Sequence, residues 1–331
     1  MERHKWLDNV RAIACLMVVV VHVTALTKYS IGQISNISWY TTVVIDSASR
    51  MCVPLFLMIS GYIFLRKKDV KLNNVIKIFS ALTFYSVLCV IYYSVFGGVD
   101  FIGMLKTIYQ QPAMYHLWYL FYIFVYYVLF LFINARSVSP EFGVIITISA
   151  MVFFNPTLND LSQFFLNFEI KNGFAIDSQY LLLFLYCFAG AFVGSLRDSR
   201  VIFKSSIVVC LTSIIIISYM TIIKSIEFGS LAYQYQNYIT IPVFLSSISA
   251  FYIIKNIGFN TAIQNAMTFI SKRSLAIYGV HAIFIEYMKF KKLYFFESPF
   301  VNLIVTYILV VICSCLVASV IKKVDKRGYV S

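Results

Sequence analysis

The chain is poor in charge. Of its 331 residues only 12% are Asp, Glu, Lys or Arg, about half the share usual in a soluble domain. Hydrophobic residues supply 60% and the mean hydropathy is +0.83. A water-soluble fold of this size has no way to cover so much apolar surface, which excludes a soluble enzyme, a secreted disulfide scaffold and a disordered chain. Acidic residues are scarcer than basic ones, 14 against 27. The basic residues nevertheless fall in short clusters between apolar runs, a pattern of membrane topology and phosphate contact rather than nucleic-acid recognition. The seven cysteines (Cys15, Cys52, Cys89, Cys187, Cys210, Cys313 and Cys315) lie inside apolar runs without metal-ligand spacing and read as small hydrophobes. Walker A, Gly-rich dinucleotide, Gly-x-Ser-x-Gly and His-rich metal motifs are all missing, so nucleotide hydrolysis, redox and zinc chemistry have no support and no metal is expected.

What is present is a succession of apolar runs, and about 20 residues suffice to cross 30 Å of hydrocarbon. Runs at 9–27, 40–64, 75–96, 116–134, 142–155, 180–195, 206–223, 238–254, 274–289 and 299–321 predict an all-α polytopic membrane protein, a single domain over 1–331 with about ten transmembrane helices. The fifth run is the weakest, because Asn155-Pro156 stops it. With both termini in the cytoplasm most Lys and Arg fall on inner segments, and the connection carrying Lys289, Lys291 and Lys292 is the exception. Trp6, Trp39 and Trp118 fall near run ends, as interfacial rings should. Arg3-His4-Lys5 followed by an apolar stretch and Val23-Thr24-Ala25 imitates a signal peptide, although the ionisable residues within that stretch argue for a retained helix. The polar connection 156–179 reads either as a cover over a site or as an ordinary surface loop.

Ionisable groups inside a membrane are costly and therefore point to function. Arg11 and His22 are eleven residues apart in the first run. At 100° per residue they differ by about 20° and share a face, separated by roughly 16 Å of rise. Arg11 is thus expected near the cytoplasmic headgroups and His22 close to mid-membrane. The plain readings are a snorkelling Arg11 paired with Asp8, and a His22 that hydrogen-bonds between helices. In the second run Asp46 and Arg50 stand four apart and should pair, either as architecture or with Arg50 facing a substrate at the level of His22. Ser60-Gly61 reads as a site or as small-residue packing. His116-Leu117-Trp118-Tyr119 opens the fourth run at the outer face, an aromatic belt or a sugar platform. His281 lies roughly 10 Å in from the cytoplasmic end of the ninth run, in packing or cofactor contact, and Glu286 lies deeper on another face.

This constellation resembles the acyltransferase 3 family of membrane acyltransferases. The family's hallmark is an arginine and a histidine separated by ten residues on the first helix, matched by Arg11 and His22. A Ser-Gly-aromatic motif in a Pro- and Phe-containing stretch is matched by Pro54-Leu55-Phe56 through Ser60-Gly61-Tyr62. A late aliphatic-Tyr-x-x-His motif is matched by Ile277-Tyr278-Gly279-Val280-His281, and the likeness covers essentially the whole chain. The resemblance implies acetyl-CoA as cytoplasmic donor, and as acceptor a hydroxyl of a lipid-linked or polymeric glycan facing the periplasm, with the amino sugars of enterobacterial common antigen as the expected one. It implies a multi-pass protein of the bacterial inner membrane, in contact with membrane lipids and not with nucleic acid. His22 is then the catalytic residue, with Arg11 assisting by holding the donor. Lys77, His281 and Ser60 join Arg11 around the coenzyme, and Asp46, Arg50, His116, Trp118 and Glu286 are assigned to the acceptor. The basic inner cluster Arg66, Lys67, Lys68, Lys71 and Lys77 meets either the coenzyme's phosphates or anionic lipid.

Two other classes stand beside the enzyme. A polytopic transporter or flippase of lipid-linked sugar also has about ten to twelve spans and rare midplane charges, although the two halves here show no convincing similarity. A structural envelope subunit would not need Arg11 and His22 on one stripe.

Overall fold

Polar residues at the edges of the apolar runs decide where helices begin. Ser35, Ser139, Ser178, Ser199 and Ser298 each turn a hydroxyl onto the backbone N–H three residues on, satisfying donors that an opening helix leaves orphaned. Pro140 and Pro299 follow two of these caps, at a position where a missing N–H is harmless. The structure, a computed structural model, describes residues 5–170, 172–293, 296 and 298–331, and the described residues are helical without strands.

The α-helices are α1 (Lys5–Lys28), α2 (Asn36–Ser49), α3 (Cys52–Gly61), α4 (Leu72–Phe96), α5 (Phe101–Lys106), α6 (Trp118–Leu129) and α7 (Pro140–Phe153). They continue as α8 (Leu158–Leu166), α9 (Gln179–Val193), α10 (Arg200–Phe228), α11 (Ile241–Asn256), α12 (Thr261–Ser271), α13 (Ser274–Phe290) and α14 (Pro299–Val324). A π-helical turn, Tyr62–Lys67, extends α3, and short 3-10 turns at Tyr115–Leu117 and Tyr233–Gln236 precede α6 and α11.

Nine of the ten apolar runs each centre on one helix, and the run 40–64 is divided between α2, α3 and the π-helical turn. Among the described residues six helical segments are long and apolar enough to cross a membrane: Lys5–Lys28, Asn36–Lys67, Leu72–Phe96, Arg200–Phe228, Tyr233–Asn256 and Pro299–Val324. A seventh forms if α7 and α8, bent by 71°, count as one broken span. The others are short. At 1.5 Å per residue α6 extends about 18 Å and α9 about 22 Å, less than a 30 Å core. The break after α7 falls where Asn155 was expected to stop it. Its buried amide donates to Ile239 O at 2.6 Å and its oxygen accepts from Thr157 N at 2.8 Å. The connection after that break carries α8 rather than an unstructured loop. Arg3 and His4 of the signal-like start lie outside the described residues, while Val23–Ala25 sits within α1.

The chain packs as two units, Met1–Lys68 with Asn134–Thr268, and Asp69–Ile133 with Phe269–Ser331. In the first, α1 packs on α2, α3 and α11, and α3 packs on α9. The α3–α9 crossing is set by two glycines. A Cβ on Gly61 would stand 1.9 Å from Cys187 O, and one on Gly190 would stand 2.0 Å from Met58 O. Backbones approach this closely only where a side chain is absent, the usual device of helix pairs in lipid. In the second unit α4 packs on α6, and α13 on α14. All seven cysteines are unbridged.

Not every tryptophan marks an interface. Trp39 is 2% exposed and donates from Nε1 to Lys28 O at 2.9 Å, so it seals the end of α1 from inside.

Gly61→Ala and Gly190→Ala should each lower the unfolding free energy by about 1–3 kcal/mol or more, as overpacking does. Thermal unfolding of the detergent-solubilised protein measures this, and unchanged midpoints would contradict the crossing.

Candidate functional site

Arg11 and His22 stand on one unbroken helix, α1, and both are half-buried. Along their shared stripe at helical spacing lie Cys15 and Val18, 1% and 3% exposed. The stripe therefore has two polar ends joined by a sealed apolar middle. Its N-terminal end is held by Asn9, whose Oδ1 accepts from Gln264 Nε2 of α12 at 2.9 Å.

A second polar group occupies a different side of the same helix. Asp46 of α2 is fully buried and accepts four hydrogen bonds: from Thr24 Oγ1 at 2.7 Å, Lys28 Nζ at 3.1 Å, Arg50 Nε at 2.9 Å and Arg50 Nη2 at 2.5 Å. The i,i+4 pairing of Asp46 with Arg50 is thus present. Arg50, 1% exposed, also donates to Tyr233 Oη and Gln236 Oε1, each at 3.3 Å, and Gln236 Nε2 donates to Ser47 Oγ at 3.1 Å. By helical geometry Thr24 and Lys28 point about 160° and 120° away from His22. Arg50 therefore directs four donor contacts to Asp46 and the turn before α11, which gives the expected pair its architectural role. Lys28, Thr24, Tyr233 and Gln236 were missed from sequence. The one signal for Lys28 was a lone basic residue directly after an apolar run.

In the second unit the expected separation of His116 at one membrane face from His281 near the other is overturned. Their ring centroids are 5.0 Å apart, edge to face, and the residues are 1% and 0% exposed. The cause is the 3-10 turn Tyr115–Leu117, which folds His116 against α13. His116 Nε2 lies 3.3 Å from Gly279 O, His281 Nδ1 lies 2.7 Å from Tyr278 O, and the Tyr278 hydroxyl donates to His116 O. His116 Nδ1 is buried with no hydrogen-bond partner among the described residues. His116 is accordingly part of an aromatic core cluster rather than a surface belt. Trp118 is half-buried against Tyr122, with centroids 5.2 Å apart. Glu286 pairs with Lys289 at 2.7 Å, one turn along α13.

Three residues expected near the coenzyme have other partners. Ser60 bonds back to Phe56 O at 3.1 Å beside the Gly61 crossing. Lys77 Nζ donates to Arg327 O at 3.4 Å and lies over the Tyr329 ring, because the segment after α14 folds onto α4. Arg66 Nη1 is held by the carbonyls of Ala135, Arg136 and Val138 at 2.7, 3.0 and 2.7 Å. It clamps a loop. Lys67 and Lys68 remain exposed. The Tyr62 ring lies 5.0 Å from that of Trp6 and 5.3 Å from Lys67 Nζ, which brings Lys67 to the start of α1.

A family model described as an acyltransferase domain matches residues 4–321. The chain belongs to the acyltransferase 3 family. No curated protein and no solved structure matches it. Family membership makes this a membrane acyltransferase and sets the transporter and structural-subunit readings aside. The match takes in most of both units and every predicted site residue.

Asp46→Ala would leave two buried cations without their carboxylate and should cost about 3–5 kcal/mol, the usual effect of breaking a buried pair from one side. A chemical-denaturation series in detergent measures it, and a loss below about 1 kcal/mol, typical of an exposed pair, would contradict the burial.

The tail carries a pH dependence. Partial burial works against the Asp325 charge, but the N–H groups of Val330, Tyr329 and Ser331 outweigh it and hold its pKa below the usual carboxylate range. A lowered carboxylate stabilises docking above its unfolded value near about 4 and loses that contribution as pH falls through the folded value. Protection from hydrogen exchange at residues 329–331, taken relative to the intrinsic rate at each pH, should therefore be high at neutral pH and low in acid, and Asp325→Asn should make it low at both. Equal exchange in the variant and the natural chain would contradict the cap.

Proposed function

We propose that this protein is an O-acetyltransferase of the bacterial inner membrane. It moves an acetyl group from cytoplasmic acetyl-CoA to a hydroxyl of a periplasm-facing cell-surface glycan, with the amino sugars of enterobacterial common antigen as acceptor. Both termini then lie in the cytoplasm and the helices make about ten passes, the shorter ones completed by their flanking turns.

The observation that carries the reading is the Arg11–His22 stripe: a half-buried cation at one level of α1 and a half-buried imidazole about 16 Å further along. A reaction whose donor and acceptor arrive from opposite sides needs such a pair. Acetyl-CoA supplies an activated acetyl thioester. Arg11, with the exposed Lys67 held near the start of α1 through Tyr62 and Trp6, suits its phosphates. Arg66, committed to three carbonyls, does not. An imidazole titrates near neutrality. His22 takes the proton from the acceptor hydroxyl as its oxygen bonds to the acetyl carbon, and returns it to the departing sulfur. Cys15 and Val18 keep water from the stripe between the two ends, which limits hydrolysis of the thioester.

Membranes given labelled acetyl-CoA and the antigen test the proposal. His22→Ala should lower transfer by at least about 10²-fold, the contribution of a general base, with accumulation of the protein unchanged. Arg11→Ala should chiefly raise the KM for acetyl-CoA. Undiminished transfer in the His22 variant, or an unaltered dependence on donor concentration in the Arg11 variant, would reject the assigned roles.

A further inference from the structure

The Asp46 group does not balance. Lys28 and Arg50 are both buried, at 3% and 1% side-chain exposure, and Asp46 at 0% is the carboxylate that both pair with. Among the described residues neither cation pairs with a second carboxylate, so one positive charge is in excess. Asp46 has no further capacity, since its two oxygens already accept four bonds. The cations do have capacity. An ammonium offers three donors and a guanidinium five. Lys28 uses one on Asp46; Arg50 uses four, on Asp46, Tyr233 and Gln236.

What faces the spare donors is aromatic. The Tyr233 ring lies 5.6 Å from Lys28 Nζ and 5.0 Å from the Arg50 guanidinium carbon, and the Tyr29 ring lies 5.6 Å from Lys28 Nζ. These rings are themselves open, Tyr233 at 40% exposure and Tyr29 at 58%. Tyr233 belongs to the short turn Tyr233–Gln236 rather than to a long helix. The two cations therefore share one partly exposed ring, that of Tyr233, which sits on a connecting turn. A ring face compensates a cation weakly, by about 0.5–2 kcal/mol, whereas an oxyanion forms charge-assisted hydrogen bonds.

We propose that Lys28 and Arg50, beneath Tyr233, form a binding subsite for an anionic group, a carboxylate or phosphate carried by the acceptor. Asp46 holds the two cations in place and leaves one unit of charge for the ligand, and the Tyr233 ring turns aside to admit it. The inference deepens the acetyl-transfer reading, in which the end of α1 at Lys28 faces the acceptor's side. Lys28 is about 9 Å of helix rise beyond His22. An anionic group at Lys28 and a reacting hydroxyl at His22 then belong to one elongated glycan, positioned by its charge at one end.

The test uses the full-length protein in detergent, without any acetyl donor. Its thermal unfolding midpoint is followed against inorganic phosphate, glucuronate and neutral glucose at matched ionic strength. The expected result is a rise with phosphate, glucuronate or both, and none with glucose. A response to phosphate alone identifies a phosphate ligand, and one to glucuronate alone a carboxylate sugar. Lys28→Met removes the excess charge but leaves the neutral Asp46–Arg50 pair, so the variant should fold and lose the response. Tyr233→Ala keeps both cations and removes the cover, so it should respond at several-fold lower anion concentration. No anion-specific rise in the natural protein, an undiminished response in Lys28→Met, or an unchanged concentration dependence in Tyr233→Ala would each overturn the proposal. A negative result leaves acetyl transfer untouched, and a His22→Ala variant that still transferred acetyl would leave the anion subsite standing.

Discussion

A single carboxylate, shut away from water, organises the first unit. Asp46 ties the end of α1 through Thr24 and Lys28, and ties its own helix to the turn before α11 through Arg50. A lone buried charge is untenable in an apolar medium. Asp46 therefore dictates that both cations come to it, and that α1 presents one side to it. Once that side is fixed, helical geometry fixes the rest of α1, and the Arg11–His22 stripe must look elsewhere. The fold thus turns the Arg11–His22 stripe away from the Asp46 group on one helix.

The same economy recurs in the basic residues. Arg66 anchors a loop through three carbonyls, Lys77 receives the segment after α14, and Lys28 and Arg50 surround Asp46. These four cations are structural in their contacts, while Lys67 and Lys68 are exposed.

Much of the fold was legible in the sequence because periodicity and apolar length are local properties. The Arg11–His22 face, the Asp46–Arg50 pair and the stop at Asn155 all follow from spacing along one segment. What was not legible depends on distant chain segments. Tyr233 and Gln236 reach Arg50 across more than 180 residues of sequence, and nothing in a short polar turn announces such a partner. His116 was placed by the rule that an apolar run begins at a membrane face, yet a 3-10 turn folds it against His281. Trp39 followed the interfacial rule in sequence but fills the interior, because its indole N–H finds the last carbonyl of α1. Hydropathy locates segments; it does not locate contacts.

The central claim is that α1 has one side sealed by Asp46 and, on another, two half-buried polar positions at Arg11 and His22 that water reaches on either side of the buried Cys15 and Val18. Single cysteines placed along α1 in an otherwise cysteine-free chain, probed with a water-soluble thiol reagent, test it most directly. The account predicts labelling at positions 11, 22 and 25 and protection at 24, 27 and 28. Labelling at 24 and 28 with protection at 22 would contradict it.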